Sequence, residues 1–229
     1  MFDGYRWRAR GARLVVLGAL YLLVSLASSA QAQPASLSFT FDFPGSQPDH
    51  YVISVESDGR ATYVSTGRFD SEADPADSFR LDLTLSASTS ARLFDLTRRA
   101  NYFQGDVDSK KKNLANTGVK TLAYKDAERS TSATYNYSQN QAVQNLTALF
   151  QSLSTTLEFG RRLEFYRRYQ KLALDDELKR IEAMAKQNSL EELSALAPIL
   201  KQIADDQTVI NPVRARAQRL LQTAAGQAQ

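Results

Sequence analysis

From residue 37 the chain alternates. Leu37, Phe39, Phe41 and Phe43 are separated by Ser38, Thr40 and Asp42, a period of two that puts four apolar side chains on one face of a strand. Pro44-Gly45 ends that run, and Tyr51, Ile53 and Val55 set up a second strand over 50–55. Asp58-Gly59 predicts a two-residue hairpin turn, because glycine accepts the positive φ such turns demand, and a third strand follows over 60–66. In a fourth, over 79–85, Phe79, Leu81, Leu83 and Leu85 alternate with Arg80, Asp82 and Thr84. Two more, over 119–125 and 130–137, are joined by Asp126-Ala127-Glu128-Arg129. The second of these alternates Ala133, Tyr135 and Tyr137 with Ser132, Thr134 and Asn136, which predicts one buried and one wet face.

Helical spacing takes over elsewhere. The segment STSARLFDLTRRANYF, 88–103, predicts a short helix opened by a Ser/Thr cap, with Leu93, Leu96 and Ala100 on one face. Ser138 and Gln141 match a Ser-x-x-Gln capping box ahead of Val143, Leu146, Phe150, Leu153 and Leu157, spaced three and four apart. The stripe Phe159, Leu163, Tyr166, then Ala173 or Leu174, Leu178, Ile181 and Ala185 predicts the next helix. Ser189 to Glu192 reads as a second capping box, ahead of Leu193, Leu196, Ile199, Leu200 and Ile203. Asn211-Pro212 opens the last helix, with proline at a position where its missing N–H costs nothing. The expected fold is α+β: an antiparallel sheet of about six strands with one inserted helix, followed by a C-terminal bundle of about four helices.

The first residues change the charge argument. Four arginines precede the apolar run LVVLGALYLLVSLA, and a small-residue Ala-Gln-Ala ends at Ala32, the three-part layout of a secretory signal peptide. The apolar run is shorter than the ~20 residues a permanent span needs. Cleavage after Ala32 is therefore expected, with 33–137 a strand-rich module, 138–229 a helical region, and a periplasmic or secreted destination. The whole chain has 28 Lys+Arg against 25 Asp+Glu, but without Arg6, Arg8, Arg10, Arg13 and Asp3 each sign numbers 24. A neutral mature chain gives no footing for phosphate-backbone binding. The absence of cysteine rules out a disulfide framework and a thiol nucleophile.

Few residue constellations suggest chemistry. His50 is the sole histidine and has no cysteine or second histidine to share a metal, which argues for a structural or exposed role. Asp70, Glu72, Asp74 and Asp77 put four carboxylates in one loop, hard oxygen ligands of the kind Ca²⁺ takes, but without the EF-hand order of ligands. They are the only candidate metal ligands, and a solvated connection is the favoured reading. Lys110-Lys111-Lys112 follow Asp106 and Asp108, whose charge opposes any anion site there. Asn145-Leu146-Thr147 matches a glycosylation sequon but falls in an expected helix.

The segment EFGRRLEFYRRYQK, 158–171, holds five cations and four aromatic rings, a composition common in nucleic-acid and membrane contacts. Acids stand four residues before bases through and beyond it: Glu158 and Arg162, Glu164 and Arg168, Asp175 and Lys179, Asp176 and Arg180, Glu182 and Lys186. Such pairs stabilise an exposed helix by ~0.2–0.5 kcal/mol each. The segment is thus expected to head a salt-bridged amphipathic helix, in which Arg161 and Arg167 are the two arginines lacking an acid four residues before them.

The tail SALAPILKQIADDQTVINPVRARAQRLLQ resembles a single HEAT-type repeat, carried by Leu196, Pro198, Asp205-Asp206 and Val213-Arg214. One copy implies a helical hairpin packed on the rest, since a solenoid needs about three. As a whole, through ISVESDGRATYV, NTGVKTLAYKD, AVQNLTALFQSL and FGRRLEFYRRYQK, the chain resembles exported bacterial α+β proteins of unassigned function. That resemblance implies export and fold, and brings no catalytic residues with it. The expected function is a non-catalytic interaction or scaffold module for an envelope or extracellular protein, without cofactor, nucleic acid or permanent membrane span. The rivals are an envelope hydrolase using an Asp/Glu pair and a Ca²⁺-dependent adhesion module.

Overall fold

A computed structural model describes residues 34–67, 78–111 and 113–227. The expected signal peptide and the acidic candidates Asp70, Glu72, Asp74 and Asp77 lie outside the described residues. Contacts gather the described residues into one compact unit.

Period-two alternation becomes a six-stranded antiparallel sheet. Its strands are β1 (Ser36–Asp42), β2 (His50–Glu56), β3 (Arg60–Thr66), β4 (Ser78–Thr84), β5 (Val119–Lys125) and β6 (Ser130–Tyr135), in the order β4-β3-β2-β1-β5-β6. The β2–β3 connection differs from the expected two-residue turn. Ser57, Asp58 and Gly59 form a three-residue loop in which Gly59 takes φ +89° and donates its N–H to the Glu56 carbonyl at 2.9 Å.

Helices cover one face of this sheet. Leu37, Phe39, Ile53, Tyr63 and Leu122 point inward to α1 (Ala87–Arg99) and the first half of α2 (Gln141–Tyr169), meeting Leu93, Val143, Leu146 and Phe150 in one apolar cluster. Phe39 and Phe150 stack with ring centroids 5.0 Å apart. A serine caps α1, but it is Ser86, ahead of the expected segment 88–103, its Oγ accepting from the Thr89 N–H. The cap of α2 is not the Ser138/Gln141 box. Asn140 takes that place, accepting from Ala142 N–H at 2.9 Å.

The second helix runs further than the sequence suggested. It passes through Gly160 without a break and ends at Tyr169, so the basic–aromatic segment is the tail of α2 and not the head of the next helix. Glycine stands there for clearance: a Cβ on Gly160 would lie 3.2 Å from Leu196 Cδ2. A 3-10 turn then leads into α3 (Leu174–Lys186), and a second 3-10 turn, Leu193–Leu196, leads into α4 (Ala197–Asp205). The expected capping box at Ser189 does not form, because Glu192 adopts a left-handed φ of 53°. Its carboxylate instead accepts from the N–H and hydroxyl of Ser86, at 2.9 and 2.6 Å. Finally α5 (Asn211–Gln227) packs on α4. Phe159 and Leu163 of α2 join Leu178, Ile181, Leu200, Ile203 and Ala217 in a second apolar cluster, so one helix serves both cores.

Two expectations follow. Gly160→Val should push Leu196 from α2 and cost about 1–3 kcal/mol in a urea melt. Between α4 and α5, Asp206 accepts from the hydroxyl and N–H of Thr208 at 2.6 and 2.9 Å, with Lys171 Nζ 3.2 Å from its other oxygen. These bonds hold its carboxyl at about 2. A folded value below the ordinary ~3.9 means that Asp206 adds stability above about pH 4 and loses it as pH falls toward 2. An NMR titration should place its midpoint near 2, and Asp206→Asn should flatten the stability curve across that window.

Candidate functional site

Polar side chains on an apolar stripe mark the junction of the two cores. Ser154, Glu158 and Arg161 continue the spacing of Phe150 along α2 and face β3, whose alternation turns Tyr63 and Ser65 inward. Tyr63 donates its hydroxyl to Glu158 Oε1 at 2.8 Å, and Ser65 donates to the same oxygen at 2.6 Å. Ser154 Oγ lies 3.1 Å from the Tyr63 hydroxyl. Arg161 sets its guanidinium 3.8 Å from Glu158 Oε2, 3.4 Å from Ser65 Oγ and over the Phe79 ring. Burial, reinforced by the neighbouring Glu158 charge, raises the Tyr63 hydroxyl well above its ordinary range, so it serves as a donor.

This node corrects the expected charge pattern. Glu158 pairs three residues on with Arg161, not with Arg162, and Arg162 reaches across to Glu177 of α3 at 2.5 Å. Arg180 likewise turns to Glu177, at 3.3 Å, instead of Asp176. Glu164 and Arg168 form no ion pair among the described residues, whereas Asp175–Lys179 and Glu182–Lys186 form as expected at 2.6 and 3.7 Å. The spacing of four holds for Asp175 and Glu182 and fails for Glu158, Glu164 and Asp176; at Glu158 and Arg162, which lie between the two cores, Arg161 and Glu177 supply the partners instead. Of the aromatics, Phe159 is buried as expected, while Tyr169 is 71% exposed.

Beside the node is a cleft of about 360 Å³. Phe41 and Tyr51 of the sheet form one wall, Phe159 and Met184 the other, and residues 46–48 of the β1–β2 loop close one side. That loop is held by Phe43 N–H on the Asp49 carbonyl and Gly45 N–H on Asp49 Oδ1, at 2.8 and 3.0 Å. Arg162 and Arg180 stand at the rim.

The opposite face of the sheet carries a different surface. Its central rows read Arg80, Val64, Val52, Thr40, Thr121, Thr134 and Asp82, Thr62, Ser54, Ser38, Ala123, Ser132 across the six strands. Val52, Val64 and Ala123 join neither apolar cluster, so among the described residues no helix packs on this face. Thr62 donates to Asp82 at 2.7 Å, and the hydroxyls of Thr121 and Thr134 lie 2.9 Å apart. His50 sits at the rim, its Nδ1 2.5 Å from Asp42 Oδ1 on the neighbouring strand.

The remaining polar features are structural. Lys120 points into the core side of β5 and donates to the carbonyls of Thr117, Gly118 and Asn136 at 2.9–3.0 Å, tying the incoming loop to the strand ends. Burial lowers its pKa. Lys110 is paired with Asp106 at 2.6 Å. Thr147 of the sequon bonds the Val143 carbonyl and the Tyr135 hydroxyl within the fold. No group of three or more metal-ligating side chains occurs among the described residues, and no described helix is long and apolar enough to cross a membrane.

The chain matches no protein-family model, and no curated protein matches it with significance.

Removing Glu158 should expose the cost of the node. Glu158→Ala leaves a buried guanidinium without its carboxylate and should lose about 3–5 kcal/mol in denaturant melts. Glu158→Gln, which keeps an acceptor for Tyr63 and Ser65, should lose distinctly less.

Proposed function

We propose that this chain is an exported, non-catalytic interaction protein that seats the open face of its sheet on a protein of the cell envelope. One observation carries the reading: the face has small, uncharged residues at its centre, and among the described residues its charges, Arg80, Asp82, Asp42, His50, Glu56, Arg60 and Lys125, stand around it. A centre without charge inside a charged rim shares with protein–protein contacts the depletion of charged residues at the core. Five strand spacings of ~4.8 Å by about 20 Å of strand give roughly 500 Å². A standard interface takes about 800 Å² per partner, so the contact belongs with small, reversible associations. The carboxylates nearest the cleft, Glu158 and Glu177, are both paired with guanidiniums, which lends nothing to the hydrolase alternative. The Ca²⁺ alternative rests on residues outside the described ones.

Site-specific photocrosslinking tests the proposal. A benzoylphenylalanine at position 40, in the centre of the face, should yield a discrete adduct from envelope extract, and one at position 222 on α5 should not. Thr121→Arg should cut the adduct at least about tenfold while changing stability by no more than about 0.5 kcal/mol. Equal adducts from both positions, or a product of twice the chain's mass, would overturn the assignment.

A further inference from the structure

The cleft on the helical side carries a second and independent inference. Arg162 is unusually fixed for an arginine: its Nε is held 2.5 Å from Glu177 Oε1, its guanidinium lies 4.7 Å from the Phe159 ring centroid, and its side chain is 13% exposed. Among the described residues, its two terminal nitrogens make no hydrogen bond. Arg180 shares the other oxygen of the same carboxylate, at 3.3 Å. Two guanidiniums therefore divide one buried acid, and among the described residues the rim keeps a surplus positive charge. Glu158 does not cancel it, because Arg161 balances that carboxylate from within the core.

A guanidinium pinned at Nε with free terminal N–H groups is pre-organised for two-point binding of an oxyanion. The walls say which kind. Phe41, Tyr51, Phe159 and Met184 present apolar surface, which an inorganic anion cannot use and an aromatic or aliphatic body can. The volume, about 360 Å³, falls within the range of small-molecule pockets. We infer that this cleft binds a small organic carboxylate, with the carboxylate on Arg162 and Arg180 and the apolar body between Tyr51 and Phe159. This site lies across the sheet from the proposed partner face and does not depend on it.

Phenylacetate, with 2-phenylethanol as its uncharged analogue and inorganic phosphate as its body-less one, tests the assignment by calorimetry and amide shift mapping on the full chain. Phenylacetate should bind at least about tenfold tighter than either comparator and should shift the amides of Gln47, Gln151 and Thr155. Arg162→Lys, which keeps the charge and loses the fork, should weaken it about tenfold. Arg180→Gln, a change at an exposed position that spares the fold, should weaken it about threefold, and Thr121→Arg on the other face should leave it unchanged. Equal binding of 2-phenylethanol, tighter binding of phosphate, or no shift at these amides would overturn the inference.

Discussion

The buried carboxylate of Glu158 sets the terms for everything around it. An ionised acid in a protein interior is costly unless it is paired and hydrogen-bonded. Here a tyrosine and a serine from β3 supply the hydrogen bonds and a guanidinium one turn along supplies the charge. Those three partners come from two elements whose angle is thereby fixed. With α2 fixed across β3, the same helix can project its last turns beyond the sheet and found the second core. The cleft, the loop at its mouth and the helical hairpin all take their positions from that crossing.

Where one face of an element is wet, the sequence was readable. Each of the six strands shows its period of two because water on one side and Leu37, Ile53, Tyr63 or Leu122 on the other impose it. The inserted helix was legible for the same reason, although its cap falls at Ser86, two residues before the expected segment begins. The helical half was harder. Gly160 looks like a boundary but is a point of close approach to Leu196, and the break falls at Gln170, where no proline or glycine announces it. The charge ladder misled at Glu158 and Arg162 because its rule describes solvent-facing helices, and this stretch has a neighbour on each side.

The candidate surfaces differ in how far they could be foreseen. The hydroxyl-rich face was implicit in the polar halves of the alternating strands, although only the sheet order reveals that Thr40 and Thr121 are neighbours and that charges collect at the perimeter. The node had one signal, three polar residues on an apolar stripe, which periodicity alone reads as noise. Arg162 had none. Its meaning depends on Glu177, fifteen residues away on another helix, and on an aromatic ring beneath it.

The bond between Ser86 and Glu192 joins residues 106 positions apart. The first turn of α1 is thus completed by a side chain from the last quarter of the chain, and the same corner is closed again by Arg92 with Glu191. A ribosome delivers the whole sheet before it delivers that acid. Contacts of such long sequence separation are made late and slow a fold's formation. An unfinished α1 would therefore persist while the C-terminal helices are still being synthesised.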